Sequence, residues 1–298
     1  MRELTANSKS FLKRSFGSWT FDTINTVILI FLAIVTVYPF LRVLAVSLSS
    51  SFALTGYPLS IIPKNFTIAS YIIAFKNPMI YTGFTNSIVI TFIGTIFDTL
   101  LTVMLAYPLS KKRLPHRNMV TIFFVATMFF SAGLIPTYLN VKSLGLINTY
   151  GALIFPRMIN TFNMLICRNF FMSISPEIEE SASVDGANDI TVLYKLIIPI
   201  SKPIIVTLIL WYGVARWNSY FDCLLYVSDS KKFLLSVVLR DIITKGTNER
   251  LSSDRISVNN FELAKTSVII ISTVPILLVY PFLQKYFVQG IMVGSLKG

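Results

Sequence analysis

Two groups of polar side chains lie inside long apolar stretches, and they are the residues best suited to chemistry. In the first group, Arg157, Asn160 and Asn163 recur at intervals of three, so in a helix they would share roughly one face. The second group combines aromatic rings with amide and guanidinium donors: Trp211, Tyr212, Arg216, Trp217, Asn218 and Tyr220. An aromatic ring stacks on the C–H face of a sugar, whose hydroxyls need hydrogen-bonding partners. These residues are therefore candidates for the lining of a carbohydrate pathway.

Both groups also have a simpler structural interpretation. A long arginine side chain such as that of Arg157 can extend to the membrane interface, and aromatic residues form belts at membrane interfaces. The sequence leaves both interpretations open for Arg157 and Arg216. Asp98 is another charge within an apolar stretch, where charged residues usually face a partner or a cavity. The sequence alone indicates no partner for it.

The elements that must position these residues are membrane-spanning helices. Of the 298 residues, 54% are hydrophobic and only 13% are charged, and the mean hydropathy is +0.68. This composition is far more apolar than that of a soluble domain. The net charge is +12, but the basic residues are scattered between apolar runs. A nucleic-acid-binding surface needs them on one polar face, so we expect no nucleic-acid partner.

The hydropathy pattern predicts an all-α membrane protein with six transmembrane helices. The predicted spans cover about 26–48, 86–107, 120–138, 150–172, 204–227 and 266–286. The first apolar run is longer than the core of a cleaved signal peptide, so we expect it to be retained. Lysine and arginine are concentrated in the amino-terminal segment and in the 111–117 loop. The positive-inside rule therefore places both termini in the cytoplasm.

The longest polar interruption on the predicted cytoplasmic side is the stretch 175–203. Ser175 is expected to cap a helix whose first residue is a proline. The first turn of that helix carries three acidic residues, Glu177, Glu179 and Glu180. Gly186 should end the helix, and Asp189 should cap a second helix over 190–198, which Pro199 closes. The result is a compact pair of helices with a tight corner.

Small residues form that corner: Ser181, Ala182, Ser183, Gly186 and Ala187. Small side chains let a backbone enter a narrow cleft, so the corner suits docking to another protein. An ordinary loop on the membrane surface explains the same composition equally well.

Motifs for nucleotide binding and catalysis are absent from the sequence. It contains no G-x-x-x-x-G-K-[ST], no H-E-x-x-H and no G-x-S-x-G. The two cysteines, Cys167 and Cys223, lie in apolar segments, and no cluster of Cys and His ligands occurs. We therefore expect neither an enzyme nor a chain that binds ATP or a metal itself.

The stretch 175–203 resembles the signature loop of membrane subunits of ATP-binding-cassette (ABC) importers, E-A-A followed by D-G-A and L-P. The chain has E-S-A at 180–182, D-G-A at 185–187 and I-P at 198–199, so a serine and an isoleucine depart from the pattern. Its carboxyl end is similar to the Q-G-x-x-x-G-x-x-K-G ending of carbohydrate-importer permeases. The segments 160–163 and 168–171 also look like the branch that transports acidic or complex oligosaccharides.

The resemblance implies a type I ABC importer permease fold, with a cytoplasmic coupling helix between spans four and five. The implied domains are an amino-terminal cytoplasmic segment (1–24), a permease domain (25–288) with a coupling loop (175–203) and an external loop (228–265), and a cytoplasmic tail (289–298). The implied ATPase-coupling residues are Glu180, Ala182, Asp185, Gly186 and Ala187. The tail residues implied to contact the ATPase are Gln289, Gly290, Gly294 and Lys297.

The same resemblance implies the partners and the mechanism. They are a second, usually different permease subunit, a dimer of ATPase subunits that carries ATP and Mg²⁺, and an external substrate-binding protein. The chain would lie in the lipid of a bacterial cytoplasmic membrane and import a carbohydrate, an acidic oligosaccharide in this branch, by ATP-driven alternating access. Two alternatives are a nucleotide-independent transporter or channel, which predicts matched inverted repeats, and a membrane-embedded enzyme, which requires an acid–base or metal constellation. The sequence shows neither feature.

Overall fold

The computed structural model describes residues 16–50, 60–249, 263–279 and 281, and these residues contain helices and no strand. The α-helices are α1 (Phe16–Ser47), α2 (Ala69–Lys76), α3 (Pro78–Ser110), α4 (Arg117–Phe129), α5 (Leu134–Ser143), α6 (Gly151–Ile154), α7 (Thr161–Met172), α8 (Pro176–Val184), α9 (Asp189–Val192), α10 (Ile198–Ile200), α11 (Lys202–Trp217), α12 (Tyr220–Tyr226), α13 (Leu235–Glu249) and α14 (Leu263–Val279). A 3₁₀ helix (Phe155–Arg157) follows α6, a second one (Ser230–Lys232) precedes α13, and a π-helix (Leu193–Ile197) joins α9 to α10.

Within the described residues, two helices are long and apolar enough to cross a membrane alone, over Trp19–Ser47 of α1 and over all of α3. With 33 residues, α3 is about 50 Å long at 1.5 Å per residue. Two further candidate spans are bent: α4 and α5 meet at 115°, and the helical segment Asp189–Ile200 meets α11 at 84°. The predicted all-α class is confirmed, while the count of six spans stays a prediction.

The third and fourth predicted spans are not single straight helices. In the third, the chain leaves α4 at Phe130 and turns at Gly133, whose φ of +82° suits glycine. In the fourth, Pro156 follows α6 and lacks the backbone N–H that an α-helix needs. The chain becomes a 3₁₀ turn there and then restarts as α7 with Asn160 as its N-cap.

The central element of the described fold is α3, which packs against α7, α11 and α13. It begins where the Asn77 side chain accepts a hydrogen bond from the Met79 N–H at 2.9 Å. Its contacts with α7 and α11 form a core that includes the fully buried Met164, Cys167 and Leu208. By contrast, the apolar window of α1 is not buried against the rest of the described chain.

The described part of the predicted external loop is largely helical and packs on the start of α3. The Asn86 side chain donates hydrogen bonds to the carbonyls of Lys231 and Phe233 at 2.9 and 3.0 Å. Leu235 and Val238 of α13 are buried in a core cluster with residues of α3. Residues 250–262 of this predicted loop lie outside the described residues.

Candidate functional site

A polar cavity of about 400 Å³ lies between α7, α11, α12 and the 3₁₀ turn after α6, with α3 behind it. Eight of the nine predicted pathway residues line it: Arg157, Asn160, Asn163, Trp211, Tyr212, Arg216, Asn218 and Tyr220. Five other lining residues were not predicted as pathway residues, namely Asp98, Ala215, Ser219, Phe221 and Asp222. The ninth predicted residue, Trp217, donates its indole N–H to the Ser272 carbonyl at 2.9 Å and lines a separate apolar groove instead.

Two interruptions in the helices build this cavity. On one side, Asn160 caps α7 by accepting a hydrogen bond from the Asn163 N–H at 3.0 Å. On the other, α11 ends at Trp217, and the Asn218 side chain donates back to the Val214 carbonyl at 2.8 Å. The prediction that Arg157, Asn160 and Asn163 share one helix face is wrong, because the span breaks between the first two. The break in the span nevertheless lets all three residues line the cavity.

Arg216 forms a buried ion pair with Asp98 at the inner end of the cavity. Its Nε and Nη2 donate to the two carboxylate oxygens of Asp98, both at 2.7 Å. Its Nη1 and Nη2 also donate to the carbonyls of Leu153 and Ile154, where α6 ends. Four of the five guanidinium N–H donors are therefore engaged. This arginine connects α11, α3 and the interrupted span.

Gly94 leaves the space that Arg216 occupies. It lies one helical turn before Asp98 on α3, so both residues face the same side. A Cβ atom on Gly94 would lie only 3.0 Å from Nε and 3.1 Å from Cδ of Arg216. The glycine thus lets the guanidinium reach the carboxylate across the face of α3.

A second arginine lies at the mouth of the cavity. Arg157 ends the 3₁₀ turn, and its Nη2 lies 3.2 Å from Oδ1 of Asp222. The Arg157 side chain is 68% exposed, whereas that of Asp222 is 10% exposed. Ser219 donates to the other Asp222 oxygen at 3.3 Å. A charge inside the predicted fifth span was the sequence signal that could have singled out Asp222.

Aromatic and hydroxyl groups complete the lining. The hydroxyls of Tyr212 and Thr102 are hydrogen-bonded at 2.7 Å in the buried wall. Trp211 packs on Phe162 with ring centroids 6.3 Å apart, and Arg240 lies over the Tyr220 ring at 5.4 Å. The cavity therefore offers ring faces, amides and one exposed cation to a ligand.

The stretch 175–203 forms two helical segments with a tight corner between them. Helix α8 ends in a Schellman motif: Ala187 N–H donates to the Ala182 carbonyl at 3.0 Å, and Gly186 N–H to the Ser183 carbonyl at 3.1 Å. Gly186 has a φ of +82°, and no atom lies within 4 Å of the Cβ position that a side chain would add. The predicted break at Gly186 is therefore present in the structure.

Two details of this stretch differ from the prediction. Asn188, not Asp189, caps the second helix, because its extended backbone lets the side chain accept from the Thr191 N–H at 2.8 Å. Pro199 does not close that helix, which continues through a π-turn to Ile200. Ser175 precedes α8 as predicted but makes no side-chain capping hydrogen bond.

Curated proteins and solved structures resemble this chain over almost its full length, while no protein-family model matches it. Protein LplC of Bacillus subtilis is 41% identical, over 93% of this chain and 95% of the relative. The polygalacturonan/rhamnogalacturonan transport system permease protein YtcP of the same organism is 38% identical, over 93% and 98%. The crystal structure of a bacterial ABC transporter that imports the acidic polysaccharide alginate contains a chain with 31% identity and a TM-score of 0.84, covering 92% of this chain and 99% of that one.

The chain belongs to the permease subunits of ABC sugar importers. The family predicted from the signature loop is thereby confirmed, and the permease is an integral membrane transport subunit. In such importers the ATPase is a separate subunit. The helical corner and the polar cavity are therefore parts of a permease subunit, and the roles of their individual residues stay predictions.

The predicted coupling residues of the permease fall into two sets in the structure. Glu180, Asp185 and Gly186 are exposed at the corner, whereas Ala182 and Ala187 pack against the core between α3, α7 and α11. Two exposed apolar residues of the corner were not predicted, Val184 and Ile190. The predicted tail residues Gln289, Gly290, Gly294 and Lys297 lie outside the described residues.

Two ion pairs connect the stretch 175–203 of the permease to the segment that follows α3. Lys111 pairs with Glu179, and Arg113 pairs with Asp189. The Lys111 ammonium also lies 4.3 Å from the centroid of the Tyr107 ring. The carboxyl end of α3 thus contacts the stretch 175–203, while the middle of α3 carries Asp98 at the cavity.

Proposed function

We propose that this permease imports an acidic oligosaccharide through the polar cavity by ATP-driven alternating access. The observation that carries the proposal is the cavity itself, in which the exposed guanidinium of Arg157 lies among aromatic rings and amides. Polygalacturonan and alginate, named for the relatives, are polymers of carboxylated sugars. A sugar ring with a carboxylate needs the groups that this cavity offers.

In the proposed cycle, ATP and Mg²⁺ bind to a separate dimer of ATPase subunits, and closure of that dimer moves the corner around Gly186. Glu179 of the coupling stretch is paired with Lys111 at the end of α3, so the movement would reach α3 directly. Because Asp98 of α3 is joined to Arg216, α11 would move with it. ATP hydrolysis would then restore the starting arrangement.

The assembly would contain a second, different permease subunit and an external binding protein that delivers the sugar. We propose that the binding protein contacts the loop 228–265, that segments 1–24 and 289–298 are cytoplasmic, and that the permease domain comprises 25–288. The tail residues Gln289, Gly290, Gly294 and Lys297 would contact the ATPase together with the coupling corner.

Substitution of Gly186 tests the proposed coupling. We expect Gly186→Asp in the complete importer, reconstituted with its ATPase, partner permease and binding protein, to abolish the stimulation of ATP hydrolysis by sugar-loaded binding protein. The bulky charge would obstruct docking of the corner. Gly145→Asp is a matched control, because Gly145 also has a positive φ, +68°, and no atom within 4 Å of its added Cβ position. It lies in the turn after α5, outside the stretch 175–203.

Two results would reject the proposal. Stimulation that survives in Gly186→Asp, with the complex intact, would show that the corner is a surface loop. Uptake of a labelled galacturonate oligosaccharide into vesicles without ATP would show a nucleotide-independent transporter.

A further inference from the structure

The two arginines of the polar cavity differ in how many of their donors are free. Arg216 is 6% exposed, and four of its five N–H groups bind Asp98 and two carbonyls. It has almost no capacity left for a ligand. Arg157 is 68% exposed, and among the described residues its guanidinium contacts one carboxylate, through Nη2. Its remaining N–H groups are therefore accessible from the cavity.

Asp222 is fixed more firmly than the arginine it contacts. It lies in the first turn of α12, its side chain is 10% exposed, and Ser219 donates to its second oxygen. Arg157, by contrast, stands at the end of a three-residue 3₁₀ turn and bears a long side chain. Asp222 thus lies beside one nitrogen of the guanidinium as an ion-pair partner, without hydrogen-bond geometry, and leaves the remaining N–H groups toward the cavity.

The free edge of a guanidinium matches one class of ligand well. Its parallel N–H groups bind the two oxygens of a carboxylate at once, and such charge-assisted bonds are about twice as strong as neutral ones. The neighbouring lining residues Trp211, Tyr220 and Asn218 can stack on a sugar ring or bond to its hydroxyls. A carboxylate attached to a pyranose ring satisfies both sets of groups.

We propose that Arg157 is the residue that selects carboxylated sugars, and that Asp222 is a positioning residue that presents it and moderates its charge. This inference rests on the proposed function and assigns its specificity to one ion pair. Asp222 leaves the pair nearly neutral, so an anionic sugar is recognised but not trapped. A transport site requires this, because binding must be favourable enough to admit the solute and weak enough to release it.

Two probes that share the sugar backbone and differ at their carboxyl groups, which are charged in one and neutral in the other, test the proposal. They are a galacturonate oligosaccharide and its fully methyl-esterified form, supplied to the reconstituted importer in vesicles. We expect Arg157→Gln to raise the KM for the acidic probe by about tenfold, the loss of one charge-assisted interaction of about 1.4 kcal/mol. The KM for the esterified probe should change by less than about twofold. Lys142→Gln, which removes one exposed positive charge from α5, should change neither value.

Asp222→Asn distinguishes positioning from a structural role. Removing the negative charge leaves Arg157 unneutralised, so we expect the KM for the acidic probe to fall and the maximal rate of its uptake to fall with it. A structural defect would lower the rate for both probes without lowering either KM. Arg157→Lys should recover part of the affinity for the acidic probe, because the charge returns without the planar fork.

Equilibrium binding of both probes to the same importer in nanodiscs separates this proposal from the proposed function. Binding of the acidic probe that requires Arg157, without uptake by the wild type, would uphold the selectivity site and reject import. Uptake of the acidic probe that is unaffected by Arg157→Gln would uphold import and overturn the selectivity site. Equal loss of both probes in Arg157→Gln, or no binding of the acidic probe to the wild type, would also overturn it.

Discussion

Two arginine–aspartate pairs line one cavity of this permease and differ in burial and in the number of their hydrogen bonds. The side chains of Arg216 and Asp98 are 6% and 1% exposed, and two parallel bonds of 2.7 Å join them. Those of Arg157 and Asp222 are 68% and 10% exposed and meet at 3.2 Å. Since the residue types are the same, the surroundings decide that one pair is buried and joins helices, while the other leaves its arginine exposed.

The two pairs differ energetically because only the pair of Arg216 and Asp98 is removed from water. A charge taken out of water costs several kcal/mol unless a partner compensates it, so neither member of the pair formed by Arg216 and Asp98 can separate cheaply. Such a pair fixes geometry, and here it fixes α3, α11 and the end of α6 together. Arg157 keeps much of its hydration, so changing partners costs it little. A ligand site needs that freedom.

Removal of Asp98 is expected to have the largest effect. Asp98→Ala leaves the buried guanidinium of Arg216 without a counter-charge, which should destabilise the permease by about 3–5 kcal/mol. Thermal unfolding of the assembled importer in nanodiscs measures it. Asp222→Ala removes the same side chain from the exposed pair and should cost about 1 kcal/mol or less, because Arg157 remains solvated.

A second variant checks the cause. Combining Asp98→Ala with Arg216→Met replaces the pair with apolar side chains and should restore most of the lost stability. Equal destabilisation by Asp98→Ala and Asp222→Ala would contradict the distinction between the two pairs.

Filling the space beside Arg216 is expected to lower stability by less than the removal of Asp98. Gly94→Ala places a Cβ 3.0 Å from Nε of a guanidinium that is held by hydrogen bonds and cannot withdraw easily. We expect a loss of about 1–3 kcal/mol, typical of overpacking. Gly213→Ala on α11 is the matched control, because its Cβ would meet only Thr95 Oγ1 at 3.7 Å. That change should be neutral or slightly stabilising, as alanine favours helices. The same thermal measurement applies, and equal midpoints for both variants would argue against a rigid Arg216.

The fold class, the corner at Gly186 and the set of cavity-lining residues could be predicted from the sequence. Composition predicted the helical membrane class, and a glycine between two capped helices predicted the corner at Gly186, where φ is positive. The polar residues of the fourth and fifth predicted spans do meet in one cavity. These predictions rest on composition, on periodicity or on a turn preference, none of which requires knowing which distant residues meet.

Ion pairs between distant residues and the positions of helix breaks could not be predicted from the sequence in this way. Asp98 and Arg216 are 118 positions apart, and no local pattern connects them. All residues of the cluster around Arg216 were predicted to line the same pathway, but adjacent residues of a helix point about 100° apart. Trp217 therefore faces α14 while Arg216 faces α3. The capping role went to Asn188 instead of Asp189, because both side chains can cap and the backbone geometry decides.

The two ion pairs at the carboxyl end of α3 also differ in burial, and their removal is expected to have the smallest effects. Lys111 and Glu179 are 15% and 18% exposed, whereas Arg113 and Asp189 are 65% and 62% exposed. Glu179→Gln should cost about 1 kcal/mol and reduce the stimulated ATP hydrolysis, because the Lys111 charge loses its largely buried partner where α3 meets the stretch 175–203. Asp189→Asn should cost less than about 0.5 kcal/mol, because solvent screens an exposed pair. Raising the salt concentration should weaken the effect of Asp189→Asn further and leave that of Glu179→Gln nearly unchanged. Equal salt dependence of the two variants would show that burial does not separate these pairs, and the proposed path from the corner through Lys111 to α3 would lose its support.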